Sequence, residues 1–181
     1  MLAKLHQDHL NIAKLLQLLK SKLDAINEER AVNYALVRDV IDYLREVSDS
    51  YHHPKEDLIY EYYLKYRLVE GEISHRLQLE HASLIEAGTE LKEMVEMILL
   101  DAVIPLDQFT AKLARFIAQQ EAHMNYEEGV VFPLLREALT EDDWRQLEQQ
   151  WQNRAIGDPL FGPEVSQHFK ELAHRLSLPI N

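Results

Sequence analysis

Apolar residues recur three and four positions apart along most of this chain, a spacing that predicts amphipathic helices. The first stripe runs through Leu2, Leu5, His9, Ile12, Leu16, Leu19 and Leu23. The polar stretch Asn27-Glu28-Glu29-Arg30 interrupts it, and a second helix is predicted from near Asn33. Its inward positions are Val37, Ile41, Leu44, Ser48, His52, Glu56, Ile59 and Tyr63. Gly71 is expected to end that helix near Glu70, since glycine is favoured just past a helix C-terminus. A third stripe holds Leu77, His81, Leu84, Gly88, Leu91, Val95 and Ile98. After the turn from Asp101 to Pro105, with Pro105 suited to the first helical position, a fourth stripe holds Phe109, Leu113, Phe116, Gln120, His123, Glu127, Val130 and Leu134. Short turns favour antiparallel neighbours. The expected fold is all-α, an antiparallel up-down four-helix bundle over residues 1–139.

Residues 140–181 read as a short helical C-terminal extension. Thr140-Glu141-Asp142-Asp143 resembles a capping box and opens a helix through Trp144, Leu147 and Trp151. The glycine- and proline-dense loop Gly157-Asp158-Pro159-Leu160-Phe161-Gly162-Pro163 follows, with Pro163 expected to start a last helix containing Val165, Phe169, Leu172 and Leu176. The extension is expected to pack Trp144, Trp151 and Phe161 on the bundle or on a second copy in a homodimer.

Composition agrees with a helical protein: 46% hydrophobic and 28% charged residues, with 5 glycines and 6 prolines among 181 residues. The formal net charge of −12 argues against nucleic acid, which is bound through Lys and Arg, and against a polybasic membrane contact. The N-terminus lacks an apolar signal core, and no apolar run approaches the roughly 20 residues of a membrane span, so a cytoplasmic protein is expected. With no cysteine, any metal must be held by imidazole and carboxylate, a donor set that suits iron, zinc or manganese.

The stripes themselves carry that donor set. Tyr51-His52-His53-Pro54-Lys55-Glu56-Asp57 contains H-x-x-x-E followed by a second acid, and Ala122-His123-Met124-Asn125-Tyr126-Glu127-Glu128 repeats it 71 positions later. Asp8-His9 and Glu80-His81 stand 72 positions apart and precede the two motifs by 43 and 42 residues, so the chain reads as internally duplicated. Helix positions four apart share a face, and the inward register selects His9, His52, Glu56, His81, His123 and Glu127. His53 lies about 100° from His52, and Glu128 lies about 140° from His123 where Glu127 lies about 40° away. His53 joins the site only if Pro54 distorts the helix, and Pro54 could instead start a new helix and part His52 from Glu56. His6, His75, His168 and His174 read as surface residues, and Tyr51, Met124 and Tyr126 as pocket lining or packing.

Burying two carboxylates and four imidazoles costs several kcal/mol per ionised group unless something compensates. Two octahedral metals sharing both carboxylates, each with two imidazoles, would do so and leave positions open for water, hydroxide or dioxygen. A ferritin-like diiron site would need paired E-x-x-H motifs; Glu72-Ile73-Ser74-His75 has that spacing and lacks a partner.

This pattern resembles the hemerythrin-like family of HHE cation-binding domains over roughly residues 1–139. The resemblance matches His9, the pair His52 and Glu56, His81, and the pair His123 and Glu127 to the family's ligands, and implies two non-haem irons bridged by Glu56 and Glu127. Val131-Phe132-Pro133-Leu134-Leu135 and the tail around Asp158-Pro159-Leu160-Phe161-Gly162 are similar to family wording. Oxygen-carrying members have H-x-x-x-H on the third helix and H-x-x-x-x-D on the fourth, whereas here Leu77 and Ile85 flank His81. One imidazole is missing on that reading. The implied function is to bind or sense dioxygen or a related small ligand, or to handle iron. The alternatives are a diiron oxidoreductase acting on oxygen, peroxide or nitric oxide, and an interaction module with a structural metal.

Overall fold

The computed structural model describes residues 1–67, 72–152 and 158–178. Among the described residues every regular element is helical: α1 (Leu2–Asn27), α2 (Tyr34–Val47), α3 (His53–Arg67), α4 (Glu72–Leu99), α5 (Leu106–Tyr126), α6 (Phe132–Ala138), α7 (Glu141–Gln152) and α8 (Lys170–Arg175). The turn assigned to Gly71 lies outside them. Asn33 caps α2 by accepting from the Leu36 N–H at 3.1 Å. Pro105 stands at the N-cap of α5 rather than at its first helical position.

Two π-turns interrupt the second and fourth predicted helices. Ser48–His52 links α2 to α3, and Glu127–Val131 links α5 to α6. In each the residue before a proline reaches back five positions, His53 N–H to the Ser48 carbonyl and Phe132 N–H to that of Glu127. Proline explains both. Pro54 and Pro133 have no N–H, and their rings crowd the carbonyl four residues back, so the preceding turn widens to relieve the clash.

Helix α1 packs on α5, α5 on α4, α4 on α2 and α2 on α1, which closes a ring of four. Their inward residues form two apolar clusters. One contains Ile12, Leu16, Leu44, Leu91, Phe116 and Met124, and the other Leu5, Ile59, Tyr63, Leu77, Phe132 and Leu135. The inward histidines and glutamates fall between these clusters on every helix, so a polar layer separates two apolar cores.

Beyond α6, the Thr140 N–H donates to Asp143 Oδ2 at 2.8 Å and the Asp143 N–H to Thr140 Oγ1 at 3.3 Å, a reciprocal cap on α7. Asp143 also accepts from the Tyr62 hydroxyl, tying α7 to α3. Trp151 is buried in edge contact with Tyr51, while Phe161 and Phe169 meet the Tyr43 ring edge-on. The Tyr43 hydroxyl donates to Asp158, whose carboxylate also accepts from the Leu160 and Phe161 N–H groups. Pro163 does not open the last helix, which starts as a 3-10 turn at Gln167–Phe169.

Candidate metal centre

The helices bring all six inward residues together. His9 comes from α1, His52 from the first π-turn, Glu56 from α3, His81 from α4, His123 from α5 and Glu127 from the second π-turn. The glutamates are fully enclosed at 0% exposure. His52 Nε2 lies 3.1 Å and His9 Nε2 3.5 Å from Glu56 Oε1, while His81 Nε2 lies 3.6 Å from Glu56 Oε2. Glu127 Oε2 lies 3.3 Å from His9 Nε2 and 3.4 Å from His123 Nε2.

His53 meets the condition that the sequence reading set for it, a helix distorted at Pro54. The α-helical period turns it away from the site, yet it is 4% exposed and its ring stacks on His81 with centroids 4.1 Å apart. The π-turn supplies the reason: one extra residue in the turn carries both His52 and His53 to the inner side. Pro54 distorts the helix without ending it. Donor atoms of His9, His52, Glu56 and Glu127 lie within 4.8 Å of one another, and so do those of His53, Glu56, His81 and His123. The arrangement holds five imidazoles where the stripe predicts four, and the imidazole that α4 lacks is present from the second predicted helix.

Behind the imidazoles stand acids. Glu128 Oε1 lies 2.8 Å from His9 Nδ1, Asp57 Oδ1 3.2 Å from His81 Nδ1, and Glu80 Oε2 2.9 Å from His123 Nδ1. Asp8 Oδ2 faces His52 Nδ1 at the longer distance of 3.7 Å. A carboxylate on one ring nitrogen fixes the tautomer and aims the other at a metal. Cations hold two of these acids in turn, Lys4 on Asp8 at 2.9 Å and Arg76 on Glu80 at 2.7 Å. The buried Lys55 ammonium lies 3.8 Å from Asp8, under the Tyr51 and Trp151 rings.

The duplication accounts for all four acids. Asp8 and Glu80 precede His9 and His81, and Asp57 and Glu128 follow Glu56 and Glu127; Asp57 and Glu128 each face an imidazole of the other half, while Asp8 and Glu80 each face one of their own half. The acid-His dipeptides and the second acid of each motif were their sequence signal. Only His53 breaks the symmetry among the ligating types, since Met124 occupies its position in the second half. His6, His75, His168 and His174 are exposed, with His6 Nδ1 2.9 Å from Glu128.

The charges reinforce one another. Burial opposes charge on His9 and His81, but carboxylates push both up to about 10: Glu127 and Glu56 for His9, Asp57 and Glu127 for His81. His53 goes the other way, pulled well below its usual value by burial and by its His81, His52 and His123 neighbours. Burial works against ionised Glu56, yet His52 and His9 hold it below the usual carboxylate range.

Donor chemistry tests the fit to a metal. His9 Nε2, His81 Nε2, His123 Nε2, both Glu56 oxygens and Glu127 Oε2 are buried with no hydrogen-bond partner. Unpartnered buried polar atoms cost about 1–3 kcal/mol each, and these six converge on one interior volume. Cations satisfy all of them at once. Among the described residues, no helix is long and apolar enough to cross a membrane.

No curated protein matches the chain. A family model described as the hemerythrin HHE cation binding domain matches residues 1–135, a span that includes all seven histidines and glutamates of the centre and the acids behind them. By that match and by the buried donor set inside it, the chain belongs to the hemerythrin HHE cation-binding family.

Proposed function

We propose that this is a non-haem diiron protein that binds or senses dioxygen or a related small ligand. The observation that supports it most is the set of unpartnered imidazole and carboxylate atoms converging from four directions, with acids behind the rings. On this reading one iron takes His9, His52, Glu56 and Glu127, and the other takes His53, His81, His123 and Glu56. Nitrogen and carboxylate donors without thiolate suit iron. Bound iron supplies the electrons and the open position that a small oxidant needs. The chain's own contribution is to orient the imidazoles through Asp8, Asp57, Glu80 and Glu128 and to keep bulk water out with the two apolar cores.

Binding ranks ahead of turnover because the acids flanking the centre each face an imidazole, which engages the groups a general acid or base would come from. The bundle is read as antiparallel and up-down: α1 and α4 run from the cluster around Leu5 and Leu77 to the cluster around Ile12 and Leu91, whereas the second and fourth predicted helices run the other way. Residues 1–139 form that bundle in this proposal, and residues 140–181 an extension covering its Tyr43 and Tyr51 side. Glu56→Ala combined with Glu127→Ala is expected to abolish metal binding during expression in iron-replete medium. Metal content equal to that of the parent protein would contradict the assignment.

A further inference from the structure

We propose that Lys55 is a positioning residue for His52, acting through Asp8, and that Trp151 holds its ammonium in place, so that metal binding in the His52 half is tied to the docking of α7. This rests on the two-metal reading above. The repeat leaves Lys55 unexplained. An offset of 72 aligns Lys4 with Arg76 and Asp8 with Glu80, so each half already pairs its acid with a cation four residues before it. Lys55 has no such counterpart, because an offset of 71 aligns it with Tyr126, whose ring lies against Arg76. Lysine is almost never fully buried unless its charge is compensated, yet Lys55 is 2% exposed.

Three elements supply that compensation. The ammonium lies 4.1 Å from the centre of the Tyr51 ring in the first π-turn and 5.3 Å from that of Trp151 near the end of α7, both within reach of cation–π attraction. Asp8 of α1 provides the opposite charge, with Oδ2 3.8 Å from Lys55 Nζ. The same oxygen stands 3.7 Å from His52 Nδ1, and both of those atoms are buried without a hydrogen-bond partner. The other three acids bond their rings directly, at 2.8, 2.9 and 3.2 Å. Charge rather than a hydrogen bond therefore aims Asp8 at His52, with Lys4 on Oδ1 and Lys55 on Oδ2, and in a low-dielectric interior that attraction is strong. The Trp151 Nε1 is buried with no hydrogen-bond partner, so this ring is held by its contacts with Tyr51 and Lys55 rather than by its N–H. With Trp151 withdrawn, the Lys55 ammonium is free to turn toward water, and Asp8 Oδ2 loses the charge that fixes it opposite His52. Linkage makes the effect mutual: a contact that changes metal affinity is changed by the metal to the same degree.

The test titrates cobalt(II) into the metal-free full chain and its Trp151→Leu, Trp151→Phe and Lys55→Met variants. Loss of a group that orients a ligating imidazole weakens metal binding, typically by about 10–100-fold. Trp151→Leu and Lys55→Met are each expected to weaken by about tenfold or more the cobalt step that His52→Ala weakens most, and to leave the other step unchanged. Trp151→Phe, which keeps a ring face, is expected to stay near the parent. Because Trp151 acts through Lys55, combining Lys55→Met with Trp151→Leu is expected to lose no more than Lys55→Met alone. Weakening of both steps to the same degree, steps unchanged or tighter in Trp151→Leu, or losses that add in the combined variant overturn the inference and leave the two-metal reading standing. A parent protein that takes up only one ion overturns both. Fluorescence gives a check independent of the folding of those variants: in Trp144→Phe, where Trp151 is the one tryptophan left, zinc is expected to shift the Trp151 emission at one of its two binding steps. Emission unchanged through both steps contradicts the inference.

Discussion

At the scale of single residues, the carboxylates beside His9 and His81 set the charge of the metal-free pocket. His9 and His81, raised to about 10 from 6.5, stabilise the metal-free fold fully below the unfolded value, and that contribution is lost as pH rises through about 10. Both are protonated at pH 7, and a metal accepts only the neutral ring. Metal uptake at pH 7 is therefore expected to expel about two protons, one from each of these rings, and affinity to fall as pH falls. Calorimetry in buffers of different ionisation enthalpy measures this release, and a heat independent of the buffer would contradict it. His53→Ala is expected to weaken metal binding at its half about as much as His52→Ala does at the other, by tenfold or more, as read by metal content after dialysis. Six residues of the centre were legible in the sequence because each falls on an α-helical stripe and has a mate 71 or 72 positions away. His53 was legible only as a condition on Pro54, since its mate is Met124 and an unbroken period turns it outward.

The two π-turns explain at the scale of elements what the stripes missed. In the fourth predicted helix Val130 is 46% exposed and Val131 1%, where the unbroken period has Val130 inward. The turn at Glu127–Val131 adds the residue that moves the register on by one, so Val131 and Leu135 take the places expected for Val130 and Leu134. Upstream of each π-turn the stripes hold, as at Val37, Ile41 and Leu44 or Leu113, Phe116 and His123, all buried. A proline inside an apolar stripe was visible in the sequence, but whether it ends, kinks or widens a helix depends on what packs around it. Pro54→Ala restores an N–H that can bond the Ser50 carbonyl and removes the cause of the wide turn. That variant is expected to stay helical while the His53 half loses about tenfold or more in metal affinity. Cobalt titration alongside circular dichroism checks it, and full affinity in a well-folded variant would separate the proline from the π-turn.

Across the whole molecule, the polar layer is held between two apolar clusters, and the C-terminal segment contributes to both, with Leu147 of α7 in the smaller one and the part after Asp158 in the larger one. Leu160, Phe169, Leu172 and Ala173 are buried with residues of α1, α2 and α5, and Trp151 covers Lys55 beside the Asp8 carboxylate. Phe169→Ala is expected to cost about 3–5 kcal/mol, the usual range for deleting a fully buried aromatic ring, measured by denaturant unfolding of metal-free protein. A cost near zero would show that this segment adds nothing to the core. That contact was only partly legible: the aromatic residues were visible, but not the Asp158 carboxylate that holds Tyr43 and the loop together. The two-iron assignment draws on every scale, from ring nitrogens to the duplication that supplies two half-sites. Its most direct test is elemental analysis of the full chain purified from iron-replete cells without added metal. Two irons per chain are predicted, one for each donor set. One tightly held zinc with no iron, or no metal at all, would contradict the assignment.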